Sequence, residues 1–304
     1  MQFSVGKHIF AERNYMKITG FTIIKNAVLN DYPVVASITS ILPVVDEMIV
    51  AVGESQDDTR ALIAAIPSDK IRIIDTVWEP GINKGGAILA VETDKAAQYI
   101  SEDTTWAFYI QADEVIHEQY HAAIKAAAAR YEKDHSVEGL LFHYLHFYGT
   151  YDYVGDSRKW YHKEVRIIRN DRSIKAFRDA QGFRKEGKRL KVKQIDAAVY
   201  HYGWVKSPRQ MQLKRKQALD LWSERDDLKT EIETHEIFNY EEFDSLERFT
   251  GTHPIVMQER IEAQNWQVHL DISKKAFSFK DRLLYWFEKK TGIRLFGFRN
   301  YRII

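Results

Sequence analysis

Alternating apolar and polar stretches through the first 116 residues predict a βαβ repeat. Short apolar runs bounded by polar or glycine-containing loops are typical of strands, and the segments between them have the spacing of amphipathic helices. Strands that alternate with helices in this way pair in parallel within one open sheet. The pattern predicts strands at 18–24, 47–52 and 71–74, helices at 31–42, 59–66 and 87–99, and a further strand from 106.

The pattern changes after a predicted helix at 118–133. Longer β-like stretches follow at 139–148, 164–169 and 190–195. Gly187 marks the turn of a hairpin, and the chain has a helical pattern from Pro208 onward. We therefore divide the chain into a catalytic-type domain, residues 1–205, and a helical C-terminal extension, residues 206–304.

The apolar run that begins at Trp106 ends abruptly in two carboxylates, Asp113 and Glu114. Such a run predicts a buried strand that delivers both carboxylates to the edge of the sheet, where α/β proteins bind their ligands. Charges rarely lie against a buried strand without a partner. We expect a metal ion, a phosphate-bearing ligand or a nearby cation there. A strand that simply leaves the core with an acidic end is the alternative.

Composition narrows the chemistry of any such site. The chain has 304 residues, no cysteine, 45% hydrophobic and 29% charged residues, and a formal net charge of +1. Without thiolates, a metal must be held by Asp, Glu or His, which favours a hard divalent cation over structural zinc. The sequence has neither a run of about 18 apolar residues nor the apolar core of a signal peptide. We expect a cytoplasmic protein with no nucleic-acid partner.

The C-terminal segment 274–304 is locally basic and aromatic. It contains nine Lys or Arg residues against Asp281 and Glu288, together with eight aromatic residues. This mixture is typical of a segment that lies on an anionic membrane surface, which would place the protein peripherally at the inner face of the membrane. A helix docked on the domain has the same composition, and both interpretations stay open.

Four motifs in a fixed order resemble the family 2 glycosyltransferases of the GT-A fold. They are a first strand that ends at Asn26, a second strand followed by residues 53–59, the acidic motif 111–114, and the motif 201–204. The resemblance covers residues 17 to about 205. It implies an α/β fold with a GT-A type, Rossmann-like mixed sheet flanked by helices, followed by the helical C-terminal extension.

The resemblance also implies a nucleotide site. Val52 and Gly53 stand where the family normally places its base-contacting Asp, and the neighbouring Glu54 could substitute for it. Gln111 replaces the first acid of the family's Asp-Ala-Asp-Glu motif, and its amide can still bond a ribose hydroxyl. The residues assigned to the nucleotide are Thr22, Lys25, Asn26, Glu54, Asp57 and Gln111.

In the family, the second acid of that motif and a late histidine hold a divalent metal. These positions correspond to Asp113 and His201, which implies Mg²⁺ or Mn²⁺ bound against the diphosphate of a UDP- or GDP-sugar. Glu114 is expected to anchor a loop or a neighbouring cation. The family's base, which deprotonates the acceptor, lies in a later loop. We assign it to Asp179, ahead of the other loop and strand-end carboxylates, Asp171 and Glu164.

The function implied is inverting transfer of a sugar to a saccharide or lipid-linked saccharide, a step of cell-surface polysaccharide biosynthesis. A basic group on the acceptor side suits a diphosphate or a phosphorylated acceptor, and equally a solvated surface. It comprises Arg178, Arg184, Lys206, Arg209 and Lys214. Two alternatives stay open. A nucleotidyltransferase would need a glycine-rich phosphate loop, which residues 21–26 lack. A non-catalytic nucleotide- or carbohydrate-binding protein is suggested by Gly53 and Gln111.

Overall fold

One mixed β-sheet organises the molecule. The computed structural model describes residues 16–79, 81–82, 84–222, 226–273 and 275–304. Its first half confirms the predicted βαβ repeat, because four strands and three helices alternate along the chain. These are β1 Ile18–Ile24, α1 Val34–Ile41, β2 Glu47–Gly53, α2 Thr59–Ala64, β3 Ile71–Thr76, α3 Ala87–Gln98 and β4 Trp106–Tyr109.

The middle of the chain is mostly strand, as its alternating pattern predicts. The predicted strand at 190–195 is part of one longer strand, β11, which has a register shift between Gln194 and Ala198. The remaining elements here are α4 His121–Arg130 and a series of strands: β5 Glu114–Ile116, β6 Gly139–Tyr148, β7 Tyr153–Gly155, β8 Lys163–Arg169, β9 Ile174–Phe177, β10 Gly182–Lys185 and β11 Lys188–Trp204.

The sheet order is β3-β2-β1-β4-β8-β6-β11-β10-β9. Strands β1 to β4 pair in parallel, and the antiparallel strand β8 continues the sheet beyond β4. Helices α1, α2 and α4 pack on one face of the sheet and α3 on the other. This mixed sheet flanked by helices confirms the predicted α/β fold class.

The C-terminal region contributes strands as well as helices. β12 pairs antiparallel with β7, and β13 joins the main sheet parallel to β11. Residue 274, where the basic segment begins, lies outside the described residues. No helix in the described ranges is both long and apolar enough to span a membrane. The elements are α5 Pro208–Trp222, α6 Asp226–Thr234, β12 Leu246–Arg248, α7 Gln258–Glu262, α8 Phe279–Thr291 and β13 Tyr301–Ile303.

One local difference from the predicted strands creates the site. The strand that begins at Trp106 ends at Tyr109, and the chain turns so that the Glu114 amide donates to the Gln111 carbonyl at 3.0 Å. Glu114 then begins β5, which pairs antiparallel with β11 and places Glu114 opposite His201. The acidic motif therefore bridges two strands of the sheet instead of ending one.

Candidate active site

A cleft of about 450 Å³ opens at the carboxyl ends of the parallel strands. Ligands of open α/β sheets bind at this edge, because the loops that follow neighbouring strands meet there. Helix α5 closes the opposite side of the cleft. Its polar and aromatic lining residues are Lys25, Asn26, Asn30, Tyr32, Gln56, Trp78, Tyr109, Gln111, Asp113, Lys214 and Gln217.

Asp113 is the charged centre of the cleft. Its Oδ2 lies 3.5 Å from His201 Nε2 and 3.4 Å from Lys214 Nζ. Lys214 also donates to the Gly203 carbonyl at 2.9 Å, so its ammonium group is fixed beside the carboxylate. Burial raises the pKa of Asp113, but the charges of His201 and Lys214 outweigh it and hold the pKa well below its usual range. Asp113 is therefore ionised at neutral pH.

A second histidine, His146, orients His201. The two residues lie opposite each other on the paired strands β6 and β11. His146 Nε2 donates to the Tyr161 carbonyl at 2.9 Å, and burial lowers its pKa well below the usual value, so the ring is neutral. Its Nδ1 can then only accept, and His201 Nδ1 lies 3.3 Å away as the donor. His201 Nε2 consequently faces Asp113, as a proton donor when the ring is charged and as a lone pair when it is neutral.

Gly203 keeps the space between these two donor atoms open. A Cβ at this position would lie 2.6 Å from Asp113 Oδ2 and 2.6 Å from His201 Nε2. An anionic oxygen and an imidazole nitrogen that face the same small space fit a divalent cation, and a hydrogen bond behind the histidine is usual in such sites. Within the described ranges no group of three His, Asp or Glu side chains converges. A divalent cation in this space would have two protein ligands, Asp113 and His201, and its other ligands would be substrate and water.

Glu114 lies beneath this centre and is fully buried. Arg166 Nε donates to Glu114 Oε2 at 2.7 Å, a second guanidinium nitrogen bonds Oε1, and the Tyr144 hydroxyl bonds Oε1 as well. The backbone amide of Gln111 donates to Glu114 Oε2 at 3.1 Å. Glu114 thus anchors a neighbouring cation, one of its two expected roles, and ties the acidic motif to β8.

The loops after β1 and β2 form one end of the cleft. Asn26 adopts a φ of 51°, a left-handed conformation that asparagine tolerates. Its Oδ1 accepts from the backbone amide of Gln56 at 2.8 Å. Asp57 accepts from the Leu29 amide at 2.8 Å and from Thr59, and these bonds hold its pKa below the usual value although burial raises it. Asp57 therefore orders the loop that carries Asn26.

Two of the residues assigned to the nucleotide, Thr22 and Glu54, differ sharply in burial. Thr22 is fully buried in the middle of β1, whereas Glu54 is exposed just after β2. A tryptophan not singled out from the sequence, Trp78, occupies the end of the cleft between them. A Cβ at Gly53 would lie 2.4 Å from Trp78 Nε1, and Lys25 Nζ lies 5.4 Å from the ring centroid. Gly53 is required because Trp78 packs against it, which leaves no room there for the family's aspartate.

Asp179, the assigned base, lies half-buried in the turn between β9 and β10. Its neighbours Arg178 and Ala180 have φ values of 59° and 57°, which is strained backbone for both. Gln111 Nε2 donates to the Ala180 carbonyl at 3.4 Å, and Arg166 Nη1 donates to a carbonyl in the same turn at 2.9 Å. The turn is thus held next to the acidic motif.

Sequence patterns did not identify His146 or Trp78 as residues of the site. His146 appears there as one of several aromatic residues in a strand, and only its pairing with His201 identifies it. Trp78 follows β3, and this position directly after a parallel strand could have indicated that it lines the cleft. Lys214 was recognised as one of five basic residues, but its contact with Asp113 depends on where α5 packs.

No protein-family model and no curated protein matches the chain. Among solved structures, S. aureus TarS 1-349 in complex with UDP-GlcNAc is similar at 15% identity and a TM-score of 0.39, over 71% of this chain and 70% of that one. Glucosyl-3-phosphoglycerate synthase from Mycobacterium tuberculosis is similar at 17% identity and a TM-score of 0.30, over 44% and 45%.

A 4-diphosphocytidyl-2C-methyl-D-erythritol synthase from Anaerococcus prevotii is similar at 13% identity and a TM-score of 0.33. That match covers 51% of this chain and 70% of the synthase. All three likenesses are distant.

Proposed function

We propose that the protein is a glycosyltransferase that moves a sugar, with inversion, from a nucleoside diphosphate donor to a saccharide or lipid-linked saccharide. The observation that carries the proposal is the pair of donor atoms, Asp113 Oδ2 and His201 Nε2, facing each other across Gly203 in a cleft at the strand ends. Beside them stands the ammonium group of Lys214. Anionic, imidazole and cationic groups in one cleft suit a metal-bound diphosphate.

The donor is expected to lie along the cleft. Its base stacks on Trp78 at the end formed by β1 to β3, and the amides of Asn26 and Gln111 bond the ribose. Its diphosphate reaches Lys214, whose positive charge favours the anionic group. A divalent cation, Mg²⁺ or Mn²⁺, held by Asp113 and His201 would neutralise the charge that develops on the leaving diphosphate.

The acceptor is expected to enter from the side of the turn that carries Asp179. The carboxylate of Asp179 takes the proton from the acceptor hydroxyl as the hydroxyl attacks the anomeric carbon. Two supports for this role are the strained residues on either side of Asp179 and the contact of the turn with Gln111. Backbone strain of this kind concentrates at functional sites.

The test combines calorimetric binding with donor hydrolysis for UDP-, GDP- and CMP-sugars, each with Mn²⁺, with Mg²⁺ and with a chelator. We expect one nucleotide class to bind, and Asp113→Asn or His201→Gln to remove the metal-dependent part of binding. Lys214→Met should weaken donor binding and leave Mn²⁺ binding in place. The matched control is Asp75→Asn at the end of neighbouring β3, where the carboxylate is exposed and pairs with Arg60.

Other outcomes identify the alternatives. Formation of a nucleotide sugar from a nucleoside triphosphate and a sugar phosphate would show a nucleotidyltransferase. Tight donor binding without hydrolysis or transfer to any acceptor would show a non-catalytic binding protein. If no nucleotide sugar binds and Asp113→Asn behaves as the unsubstituted protein, the glycosyltransferase proposal is wrong.

A further inference from the structure

Helix α8 is attached to the domain by one of its faces. The Tyr285 hydroxyl donates to Asp156 Oδ2 at 2.6 Å, and Arg158 Nη1 donates to Glu288 Oε2 at 2.5 Å. Lys275, just before the helix, also lies 3.3 Å from Asp156 Oδ2. These buried and half-buried polar contacts fix the orientation of α8, and therefore fix which side chains point outward.

The outward face of α8 is apolar. Phe279, Leu283 and Trp286 are 87%, 57% and 57% exposed. Their spacing of four and three residues places them on one side of the helix. An amphipathic helix normally turns its apolar side toward the core. In α8 the polar residues hold the helix to the domain, and the apolar residues face away from it.

Positive charge surrounds this apolar face. Segment 275–304 contains eight Lys or Arg residues and two carboxylates, Asp281 and Glu288, for a formal charge of +6. Several of the cations pair with the domain, but Lys280, Arg282 and Lys290 form no ion pair among the described residues. These three flank the apolar side of α8 and are exposed.

The loop after α8 adds two aromatic side chains to the same region. Phe296 is 88% exposed, and Phe298 is exposed as well. Both line a cleft of about 260 Å³ together with Lys280 and Leu284 of the helix, so the loop lies alongside α8. Exposed aromatic residues therefore occur in this loop as well as on the helix.

We propose that this surface, Phe279, Leu283 and Trp286 of α8 with Arg282, Lys290 and the 296–298 loop, docks on a bilayer of anionic phospholipids. Aromatic side chains favour the interfacial layer of a bilayer, and cations near them are attracted to anionic headgroups. A helix of 13 residues lies flat at this depth and cannot span the membrane.

Charge argues for a membrane over a second copy of the chain. In a two-fold dimer the same patch meets itself, so a segment of charge +6 would face an identical one. Like charges brought together in an interface are strongly unfavourable. An anionic bilayer supplies both the opposite charge and an apolar layer.

The docking face is connected to the candidate active site. Arg294, after α8, donates to His162 Nδ1 at 2.7 Å, and the adjacent Tyr161 carbonyl accepts from His146. If the proposed function holds, a lipid-linked acceptor would approach from this side. The docking itself does not depend on that function.

The experiment measures binding of the full chain to sedimented vesicles. Phosphatidylglycerol–phosphatidylcholine vesicles are compared with vesicles of phosphatidylcholine alone. We expect binding only to the anionic vesicles, and a decrease with added salt because surface charges are screened. Arg282→Gln with Lys290→Gln should lower the partition coefficient about 25-fold, since each cation near such a surface contributes about fivefold. Leu283→Ser with Trp286→Ser should lower it at least about tenfold.

A matched control removes the same kinds of side chain elsewhere. Ile255 is 66% exposed and Lys133 is exposed, and Ile255→Ser with Lys133→Gln should bind as the unsubstituted protein does. Because the chain has no cysteine, Trp286→Cys and Ile255→Cys can each carry one environment-sensitive fluorophore. Only the probe at position 286 should shift to the blue with anionic vesicles.

Three results would overturn the docking proposal. The first is failure of the unsubstituted protein to bind anionic vesicles. The second is equal binding by the α8 variants and the control, provided that all melt at similar temperatures. The third is a dimer in light scattering that Leu283→Ser with Trp286→Ser converts to a monomer, because a second copy would then cover this face.

Discussion

Loss of one partner of the buried ion pair between Glu114 and Arg166 should destabilise the fold, although neither side chain reaches the cleft. Both are fully buried, and two guanidinium nitrogens bond the two oxygens of the carboxylate. Arg166→Met removes the cation. Among the described residues, buried Glu114 then keeps as donors only the Tyr144 hydroxyl and the backbone amide of Gln111. A carboxylate left in an apolar interior has lost its hydration without regaining an opposite charge.

The cost can be estimated from the geometry. Removal of one partner of a buried, hydrogen-bonded pair costs about 3–5 kcal/mol of unfolding free energy. Unfolding entropy is about 2.1 cal/mol/K per residue, so a chain of 304 residues loses about 1.6 °C of melting temperature per kcal/mol. Arg166→Met should therefore melt about 5–8 °C below the unsubstituted protein. Glu114→Gln in the same chain should restore part of this loss, because a neutral amide is less costly to bury.

Differential scanning calorimetry at neutral pH measures the effect, and the chain supplies a matched control. Arg60 makes the same two-pronged contact with Asp75, at 2.7 and 3.1 Å, but on an exposed surface. Water and salt screen that pair, so Arg60→Met should leave the melting temperature unchanged. A melting temperature of Arg166→Met equal to that of the unsubstituted protein, or an equally large decrease in Arg60→Met, would contradict this prediction.

Three further predictions address the site and its surroundings. Gly203→Ala should abolish Mn²⁺ binding in calorimetry with little change in melting temperature. The reason is that its Cβ would lie 2.6 Å from both Asp113 Oδ2 and His201 Nε2. Undiminished Mn²⁺ affinity would contradict this prediction. Trp78→Ala should weaken nucleotide binding about tenfold and leave Mn²⁺ binding intact, since one stacking contact is lost; equal nucleotide affinity would remove Trp78 from the site. Burial raises the pKa of Glu164 from its ordinary value of 4.5 to about 7. The contribution of the protonated side chain to the stability of the folded protein is therefore fully present below pH 4.5 and is lost as the pH rises through about 7. Glu164→Gln should thus gain about 3 kcal/mol over the unsubstituted protein at pH 8 and nothing at pH 4, and parallel melting profiles across this range would refute that pKa.

The strands and helices of the first half follow from local pattern alone. The strand at 18–24 has the predicted bounds, and α3 differs from its prediction by one residue. Burial on both faces makes these parallel strands continuous apolar runs, and such runs are visible within a few residues of sequence. The two carboxylates at the end of one run, Asp113 and Glu114, were visible in the same way.

What each carboxylate does was decided by tertiary structure. β5 pairs with β11, and β6 pairs with β11 on its other side, so residues far apart in sequence meet around Asp113. Arg166 arrives from β8 to hold Glu114, and Lys214 arrives from α5 to contact Asp113. The sequence determined that two charges would reach the edge of the sheet. Only long-range strand pairing and helix packing decided that one is a buried anchor and that the other faces the cleft, because burial and opposite charge depend on residues that no local pattern brings together.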